Sequence, residues 1–355
     1  MNLGLRERRL AAEAIRRARD EVAANVTEEF LRRHPEWVSR YGDRARVRGV
    51  EDARFHGDFL AGAIEAGGTE PFAAYARWTG RVLAARGIGR EFLAENLEQI
   101  GDAFGRALDG DAADLVRRTV EAGVAAAREA PESPDDARPG ALSVSREVFT
   151  RAALAGDRGA ADTIVGEAIR EGHSIVDVYV GVLEPSQVEV GRLWESNEIT
   201  VAQEHLATAV TQFVVTRMYS LLERPAERRG SAIVTGIEGE LHQLGGHMVA
   251  DILELDGWDV RFLGTNLPAE GVLRLVAEHK PRIVGISATM LFNLPKAVAL
   301  VSALRAGPGP IPKIVVGGAL FRSVPELWRE TGADGFGADL RAVVPLVRSL
   351  TGAPG

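Results

Sequence analysis

Short apolar runs alternate with amphipathic stretches along the last third of the chain. The runs are rich in Val and Ile and have the length of buried strands, whereas the stretches between them repeat apolar residues at helical spacing. Strands are predicted at 231–237, 258–263, 282–287 and 313–316, and helices at 244–255, 269–279, 295–305 and 324–331. Such alternation predicts a parallel sheet with right-handed crossovers, and ligands of these sheets bind beyond the carboxyl ends of the strands.

The first two thirds of the chain carry few strand signals and show helical periodicity instead. Helices are predicted there at 5–24, 26–33, 50–66, 70–86, 90–108, 112–130, 146–155, 159–171, 174–182, 185–194 and 201–222. A segment rich in proline, glycine and charge separates the two helical groups, as a linker does. The predicted fold is therefore multidomain α and α/β. It consists of a globin-like helical sensor domain at 1–130, a linker at 131–141, a four-helix cap at 142–226 and a flavodoxin- or Rossmann-like sheet domain at 230–355.

Composition narrows the possible functions. The chain has 355 residues and a net charge of −8, and in its first 140 residues the arginines are outnumbered by acidic side chains. A surface without basic excess predicts that the protein does not bind nucleic acid. No apolar run approaches the length of a membrane span, and no signal peptide is recognisable. Together with the complete absence of Cys, this predicts a cytoplasmic protein without disulfides.

Three short polar or glycine-rich signals follow the ends of three predicted strands. They are Glu240-Leu241-His242-Gln243-Leu244-Gly245, then Ser287-Ala288-Thr289 after 41 further residues, and Gly317-Gly318 after 27 more. Because the carboxyl ends of parallel strands meet at one edge of the sheet, these signals are expected to converge on one crevice.

This spacing resembles the cobalamin-binding domain of the methionine synthase and methylmalonyl-CoA mutase type. The resemblance implies that His242 is the lower axial ligand of cobalt and replaces the cofactor's own base. Glu240 stands where the family usually has Asp, and its carboxylate is expected to accept the ring N–H of His242. The alternative is an ordinary loop histidine, against which the three-part spacing argues. The other cobalamin contacts implied by the resemblance are Leu241, Gly245, Ser287, Thr289, Gly317 and Gly318.

The predicted cap carries a second signal, Trp194 followed ten positions later by Glu204-His205. This pattern resembles the helical cap of cobalamin-dependent photoreceptors of the CarH type. The resemblance implies that these three residues pack on the adenosyl group of adenosylcobalamin above the cobalt. Two alternatives involve no cofactor: Trp194 could be a core aromatic residue, and Glu204-His205 could be a solvated pair on a helix surface. One position departs from the pattern. In those photoreceptors the residue after the Trp can be a histidine that ligates cobalt after illumination, whereas here it is Glu195.

In the first domain, Arg54 to Leu60 and Tyr75 to Trp78 resemble the globin-like domain of photocobilins, in which biliverdin lies close to cobalamin. Aromatic side chains could wall a flat slot, and nearby arginines, Arg77 and Arg81 among them, could pair with the two propionates. Without Cys, such binding is noncovalent. The alternatives are packed core aromatics and a haem globin with His56 as proximal ligand. The predicted bilin contacts are Arg54, Phe55, His56, Phe59, Tyr75 and Trp78.

The sequence thus predicts a photoreceptor rather than an enzyme. Light would break the cobalt–carbon bond of adenosylcobalamin, the cap would repack, and a homo-oligomer or a downstream protein partner would receive the signal. Two other functions stay open at this point. One is a corrinoid protein that carries methyl groups for methyltransferases, and the other is a dark sensor of cobalamin or haem.

Overall fold

A computed structural model describes residues 3–129, 140–223, 225–226, 228–324 and 326–352. The chain divides into two compact units, Met1–Ser133 and Pro134–Gly355. Within the described ranges, no helix is both long and apolar enough to span a membrane.

The first unit is helical, as predicted. Its described part contains six helices: α1 Leu5–Arg33, α2 Pro35–Tyr41, α3 Asp43–Ala66, α4 Glu70–Ala84, α5 Arg90–Arg106 and α6 Gly110–Arg128. The predicted break between residues 24 and 26 is wrong, because α1 continues through it with Ala23 and Val26 both buried. Pro35 does end the helical run and begins α2, where its missing N–H costs nothing. Helix α3 begins at Asp43 rather than at residue 50.

The second unit begins with a helical cap. Its helices are α7 Ser143–Leu154, α8 Arg158–Arg170, α9 Ile175–Val178, α10 Glu184–Glu195 and α11 Val201–Met218. A π-helical segment, Tyr179–Leu183, joins α9 to α10, so the two helices predicted at 174–182 and 185–194 are continuous. The cap core includes Met248 and Ile252 of the following domain. This shared core explains why cap and sheet belong to one unit.

The sheet domain follows the cap with five parallel strands in the order β2-β1-β3-β4-β5. This confirms the predicted parallel sheet and is the flavodoxin-like order. The strands and their helices are β1 Gly230–Gly236, α12 Leu244–Leu255, β2 Trp258–Phe262, α13 Ala269–His279, β3 Ile283–Ser287, α14 Leu294–Ala306, β4 Lys313–Gly317, α15 Ala319–Ser323, α16 Leu327–Glu330, β5 Gly335–Gly337 and α17 Val343–Thr351.

The chain order reverses between β1 and β3. After β1 the chain adds β2 on one side, and then crosses to add β3 on the other side. The register places Gly236 beside Ser287 and Ser287 beside Gly317. All three strand ends that carry the sequence signals therefore meet at the switch point, where open parallel sheets bind ligands.

Two parts of the sheet domain differ from the prediction. The helix predicted at 324–331 is wrong in its extent, since Val324 is not helical, with φ −136° and ψ 78°, and α16 occupies Leu327–Glu330. Pro325 lies outside the described residues. Strand β5 and helix α17 were not predicted. Strand β5 is Gly-Phe-Gly and has none of the β-branched residues that mark a strand in sequence.

Candidate functional site

The loop between β1 and α12 holds the first pair of site residues. The Glu240 side chain is completely buried, whereas that of His242 is 61% exposed. The two contact each other, with 2.5 Å between Nδ1 of His242 and Oε1 of Glu240. In the neutral ring, donation of the Nδ1 proton to Glu240 leaves the lone pair on Nε2. Among the described residues, no hydrogen bond occupies Nε2.

Hydrogen bonds to both oxygens stabilise the buried Glu240 carboxylate. Oε1 also accepts hydrogen bonds from the backbone N–H groups of Leu241 and His242. Oε2 accepts one from the backbone N–H of Thr289 at 2.7 Å and one from the side-chain amide of Asn293 at 3.4 Å. Burial alone would raise the pKa of Glu240, but these bonds, led by that from His242, outweigh it and lower the pKa to about 2. The site therefore contains a fixed negative charge behind an imidazole that faces the solvent.

His242, supported by Glu240, suits the axial ligand of a metal ion whose other ligands come from a bound cofactor. One accessible imidazole nitrogen with a carboxylate behind it is the usual arrangement of a metal-binding histidine. Within the described ranges, no cluster of three or more His, Cys, Asp or Glu side chains could hold a metal ion by itself. The donor set thus suits a cofactor-bound metal that needs a single protein nitrogen.

We expect Glu240→Gln to raise the dissociation constant for the predicted cofactor, cobalamin, by about 10- to 100-fold, because the His242 ring loses its charged acceptor and one donor around Oε1 or Oε2 loses its partner. Equilibrium dialysis in the dark measures this constant. Glu238→Gln is the matched control, since Glu238 is exposed and two residues away. Equal affinities of the two variants would contradict a role for Glu240 behind the ligand.

The loops after β3 and β4 complete the edge of the sheet. Ala288 N–H donates to the Gly317 carbonyl at 3.0 Å, so the two loops run side by side. Gly318 has a φ of +100°, and a Cβ there would lie 2.2 Å from the carbonyl oxygen of Ala288. Only glycine fits this position. Ser287 and Thr289 are half-buried at the same edge.

The structure adds roles that the sequence did not reveal. The backbone N–H of Thr289 binds Glu240, so this residue also supports His242. Asn293 is buried and was missed entirely. Gly245 lies at the start of α12, and a Cβ there would meet no atom within 4 Å. Leu241 is 74% exposed, unusual for a large apolar side chain and consistent with a site that receives an apolar ligand face.

The cap residues lie on α10 and α11. Trp194 and Glu195 are half-buried, the Glu204 side chain is 29% exposed, and His205 is 76% exposed and paired with Glu204. The hydrogen bond to Glu240 raises the pKa of His242; burial opposes the rise, and the charges of Glu240 and Glu204 add to it. Glu204 therefore lies within electrostatic reach of His242. Among the three predicted cap residues, Glu204 thus has an observed interaction with the loop that carries His242.

Comparison with known proteins decides the class of ligand. Residues 230–344 match the family model of the B12 binding domain, and residues 145–219 match a second model with the same description. This chain is a cobalamin-binding protein. The sheet-edge loops lie in the first matched region, and helices α10 and α11 of the cap lie in the second.

The chain is similar to proteins of two kinds. It is 37% identical over 144 residues to the HTH-type transcriptional repressor CarH of Myxococcus xanthus, which covers 40% of this chain and 47% of that protein. The chain thus spans about half the length of that relative. It is 26% identical over 202 residues to trimethylamine corrinoid protein 1 of Methanosarcina acetivorans, which covers 55% of this chain and 91% of the relative.

A solved structure has the same fold. The monomethylamine corrinoid protein of Methanosarcina barkeri superposes with a TM-score of 0.52 and 22% identity, and the match covers 59% of this chain and 100% of that one. At this identity the likeness shows the fold alone.

In the first unit, the structure brings together four of the six predicted bilin contacts. His56 and Tyr75 are buried and lie 2.7 Å apart from Nδ1 to the hydroxyl oxygen, Phe59 stacks on Tyr75 at 3.8 Å, and Trp78 lies 6.1 Å from it. The other two predicted contacts, Arg54 and Phe55, are exposed, and Arg54 pairs with Asp20. Arg77 pairs with Glu70.

Burial lowers the pKa of His56 to about 4. The unfolded chain takes up this proton near pH 6.5, so between pH 6.5 and 4 the unfolded state binds more protons than the folded state. The contribution of His56 to the free energy of unfolding of the first unit is therefore expected to fall by about 3 kcal/mol as the pH decreases from 6.5 to 4.

Urea unfolding of the wild type and His56→Gln, followed by circular dichroism at pH 7 and pH 4.5, isolates this contribution. The charges of Asp52 and Asp58, which act on Tyr75, are common to both proteins and cancel in the difference. The variant should lose less stability than the wild type on acidification. Equal losses in the two proteins would show that His56 is not held neutral.

Proposed function

We propose that the protein is a cobalamin-dependent light sensor that holds adenosylcobalamin between the cap and the edge of the sheet. The observation that carries the proposal is the core that the cap shares with α12, the helix that begins two residues after His242. The charge of Glu204 in the cap also acts on His242. Trp194 and Glu204 are half-buried residues of this cap. The greater identity to the CarH relative, 37% against 26% for the corrinoid relative, supports the same choice.

The physical basis of sensing is the repacking of the cap. Bound cobalamin supplies a cobalt–carbon bond that light can break. The chain contributes His242 below and the half-buried side chains Trp194 and Glu204 above. Loss of a bulky group from beneath these side chains would leave a cavity, which costs free energy in a packed interior. The cap would then rearrange and change an oligomer or a partner surface, which makes this a signalling protein rather than an enzyme.

A methyl-carrying corrinoid protein is the second candidate. It is favoured by the match that covers 91% of the trimethylamine corrinoid relative. Such a carrier would need the upper face of its cobalt to be open to partner enzymes. It would not need to prefer adenosylcobalamin. A dark cobalamin sensor is the third possibility.

Illumination of the loaded protein separates these functions. Protein saturated in the dark with adenosylcobalamin, methylcobalamin or hydroxocobalamin would be passed over a size-exclusion column before and after green light. The light sensor is expected to prefer adenosylcobalamin and to change its elution volume after illumination in that form, while the hydroxocobalamin form, which has no alkyl group, stays unchanged. Equal binding of methylcobalamin with a constant elution volume would favour the carrier. An elution volume that follows cobalamin regardless of light would favour the dark sensor.

For the first unit, we propose noncovalent biliverdin binding along the half-exposed edge formed by Phe59 and Trp78. Phe59 stacks on Tyr75, and the Trp78 ring lies 6.1 Å from that of Tyr75 with a tilt of 33°. A flat tetrapyrrole can lie against these rings. An absorption spectrum of protein expressed with a bilin source tests this. A far-red band that is lost in Trp78→Ala would support the bilin, and a sharp Soret band that depends on His56 would support haem instead.

A further inference from the structure

Asn266, in the loop between β2 and α13, is hydrogen-bonded in both directions to the loop that leads to His242. The backbone N–H of Gly239 donates to the side-chain oxygen Oδ1 of Asn266 at 2.9 Å. The backbone N–H of Asn266 in turn donates to the carbonyl of Ile237 at 3.1 Å. Gly239 directly precedes Glu240, whose carboxylate contacts the His242 ring. Asn266 therefore ties down the segment just before the two residues that form the lower side of the site.

The backbone conformation explains why asparagine occupies position 266. Asn266 has a φ of +59°, in the left-handed region that asparagine tolerates better than most other residues with a side chain. Among the described residues, the other non-glycine residues with a positive φ are Asn197 and Lys280. Glycine would also adopt this conformation, but it has no side-chain oxygen to reach Gly239. Asparagine meets both requirements at once.

The bond from Gly239 acts at the point of the loop with the greatest conformational freedom. Gly239 is exposed and has a φ of +81°, and glycine is less restricted than any other residue. The strand before it is fixed by the sheet, and Glu240 after it is fixed by its own hydrogen bonds. A Cβ on Gly239 would lie 3.6 Å from Oδ1 of Asn293, so this backbone also passes beside a residue that binds Glu240. A shift at Gly239 would thus be passed on to Glu240.

We propose that Asn266 is a positioning residue, which holds the loop of Glu240 and His242 in the conformation in which His242 binds cobalt. A ligand on a loop binds only in the fraction of molecules whose loop has the competent conformation. Without the Asn266 oxygen, Gly239 would adopt other conformations as well, and the effective concentration of the His242 nitrogen at the cobalt would fall. This inference rests on the ligation by His242 that the proposed function assumes, but not on the response to light.

Competition with free imidazole tests the proposal. Protein with ¹⁵N-labelled histidine would be loaded with cob(II)alamin, and unlabelled imidazole would be added stepwise. In electron paramagnetic resonance, His242 gives a doublet and bound free imidazole gives a triplet. The imidazole concentration at which the two signals are equal measures how strongly the loop holds His242 on the cobalt.

Asn266→Gly removes the side-chain acceptor while it keeps the left-handed backbone and the backbone N–H that bonds to Ile237. We expect the imidazole concentration at equal signals to fall about fivefold, as for the loss of one exposed hydrogen bond between neutral groups. Asn266→Asp keeps both the acceptor and the tolerance of a positive φ, so it should stay within about twofold of the wild type.

Lys280→Gly is the matched control. Lys280 is also exposed and left-handed, with a φ of +45°, but it ends α13 near the amino end of β3, whereas His242 follows the carboxyl end of β1. This variant should leave the imidazole competition unchanged. Urea unfolding of all variants gives a separate reading, because a purely structural role of Asn266 would lower the free energy of unfolding without changing the competition.

The outcomes separate this inference from the proposed function. If the wild type shows no doublet before imidazole is added, ligation by His242 fails, and this inference fails with it. If the doublet is present but Asn266→Gly needs as much imidazole as the wild type, the positioning role is overturned. An equal fall in Asn266→Asp or Lys280→Gly would also overturn it, because the side-chain acceptor would then not be the cause. Ligation by His242 without any response to light would overturn the light sensor alone.

Discussion

Replacement of His242 by alanine is expected to weaken cobalamin binding by at least about a hundredfold, more than the loss of its supporting carboxylate would. The reason is that the variant removes the site's exposed imidazole, while Glu240 stays buried and charged behind an empty position. The absorption spectrum of any cofactor that still binds should change to that of cobalamin without a protein nitrogen ligand. Equilibrium dialysis and the spectrum together measure the effect.

Two controls sharpen this prediction. His247→Ala changes a histidine that stacks on Phe262 at 5.1 Å and does not face Glu240. The absorption spectrum of cobalamin bound to this variant should therefore match that of the wild type. Because the His242 side chain is 61% exposed, free imidazole should reach the vacated position and restore the wild-type spectrum of His242→Ala. A wild-type spectrum of His242→Ala without added imidazole would exclude this residue as the cobalt ligand.

Replacement of Tyr179 by phenylalanine is expected to lower the free energy of unfolding of the second unit by about 3 kcal/mol. The Tyr179 hydroxyl donates to Asp251 at 2.5 Å, and both residues are at most 2% exposed. Burial and the Asp251 charge raise the pKa of Tyr179, so the hydroxyl stays protonated and able to donate. Without this hydroxyl, a buried carboxylate loses a short hydrogen bond, and such a loss is costly in an interior.

Urea unfolding measures this loss. Tyr41→Phe, at a tyrosine that is 38% exposed, should change stability by less than about 0.5 kcal/mol. The double variant Tyr179→Phe with Asp251→Leu should recover part of the loss, since no buried charge remains. A Tyr179→Phe midpoint equal to that of Tyr41→Phe would contradict the importance of this bond.

The Tyr179 bond also connects the two halves of the cobalamin site. Tyr179 lies in the π-helical segment of the cap, and Asp251 lies on α12, which begins two residues after His242. A rearrangement of the cap can therefore reach the helix that follows His242 through this buried hydrogen bond, in addition to the shared core of Met248 and Ile252. A π-helical turn at this position is a common feature of functional sites.

Much of the site could be predicted because its residues follow strand ends. The runs of Val and Ile fix β1, β3 and β4, and the parallel topology then brings His242, Ser287 and Gly318 to one edge. The role of Glu240 also follows from its spacing to His242. Asn293 could not be predicted in this way, because its contact with Glu240 depends on the short helical turn Leu291–Asn293, which has no distinctive pattern.

The first unit shows the limit of sequence patterns. Aromatic residues at helical spacing indicate a cluster, and His56, Phe59 and Tyr75 do form one. The same spacing did not reveal that Phe55 points to the solvent, since neighbouring residues on a helix face different directions.

We propose that His242 binds cobalt through Nε2 while the cap covers the opposite side. Electron paramagnetic resonance of the cob(II)alamin form, with protein whose histidines carry ¹⁵N, can test this ligation. We expect the nitrogen splitting of the cobalt signal to change from a triplet in unlabelled protein to a doublet in labelled protein, and to be lost in His242→Ala. A triplet that persists after labelling would show that the cofactor's own base binds the cobalt, and it would contradict the site described here.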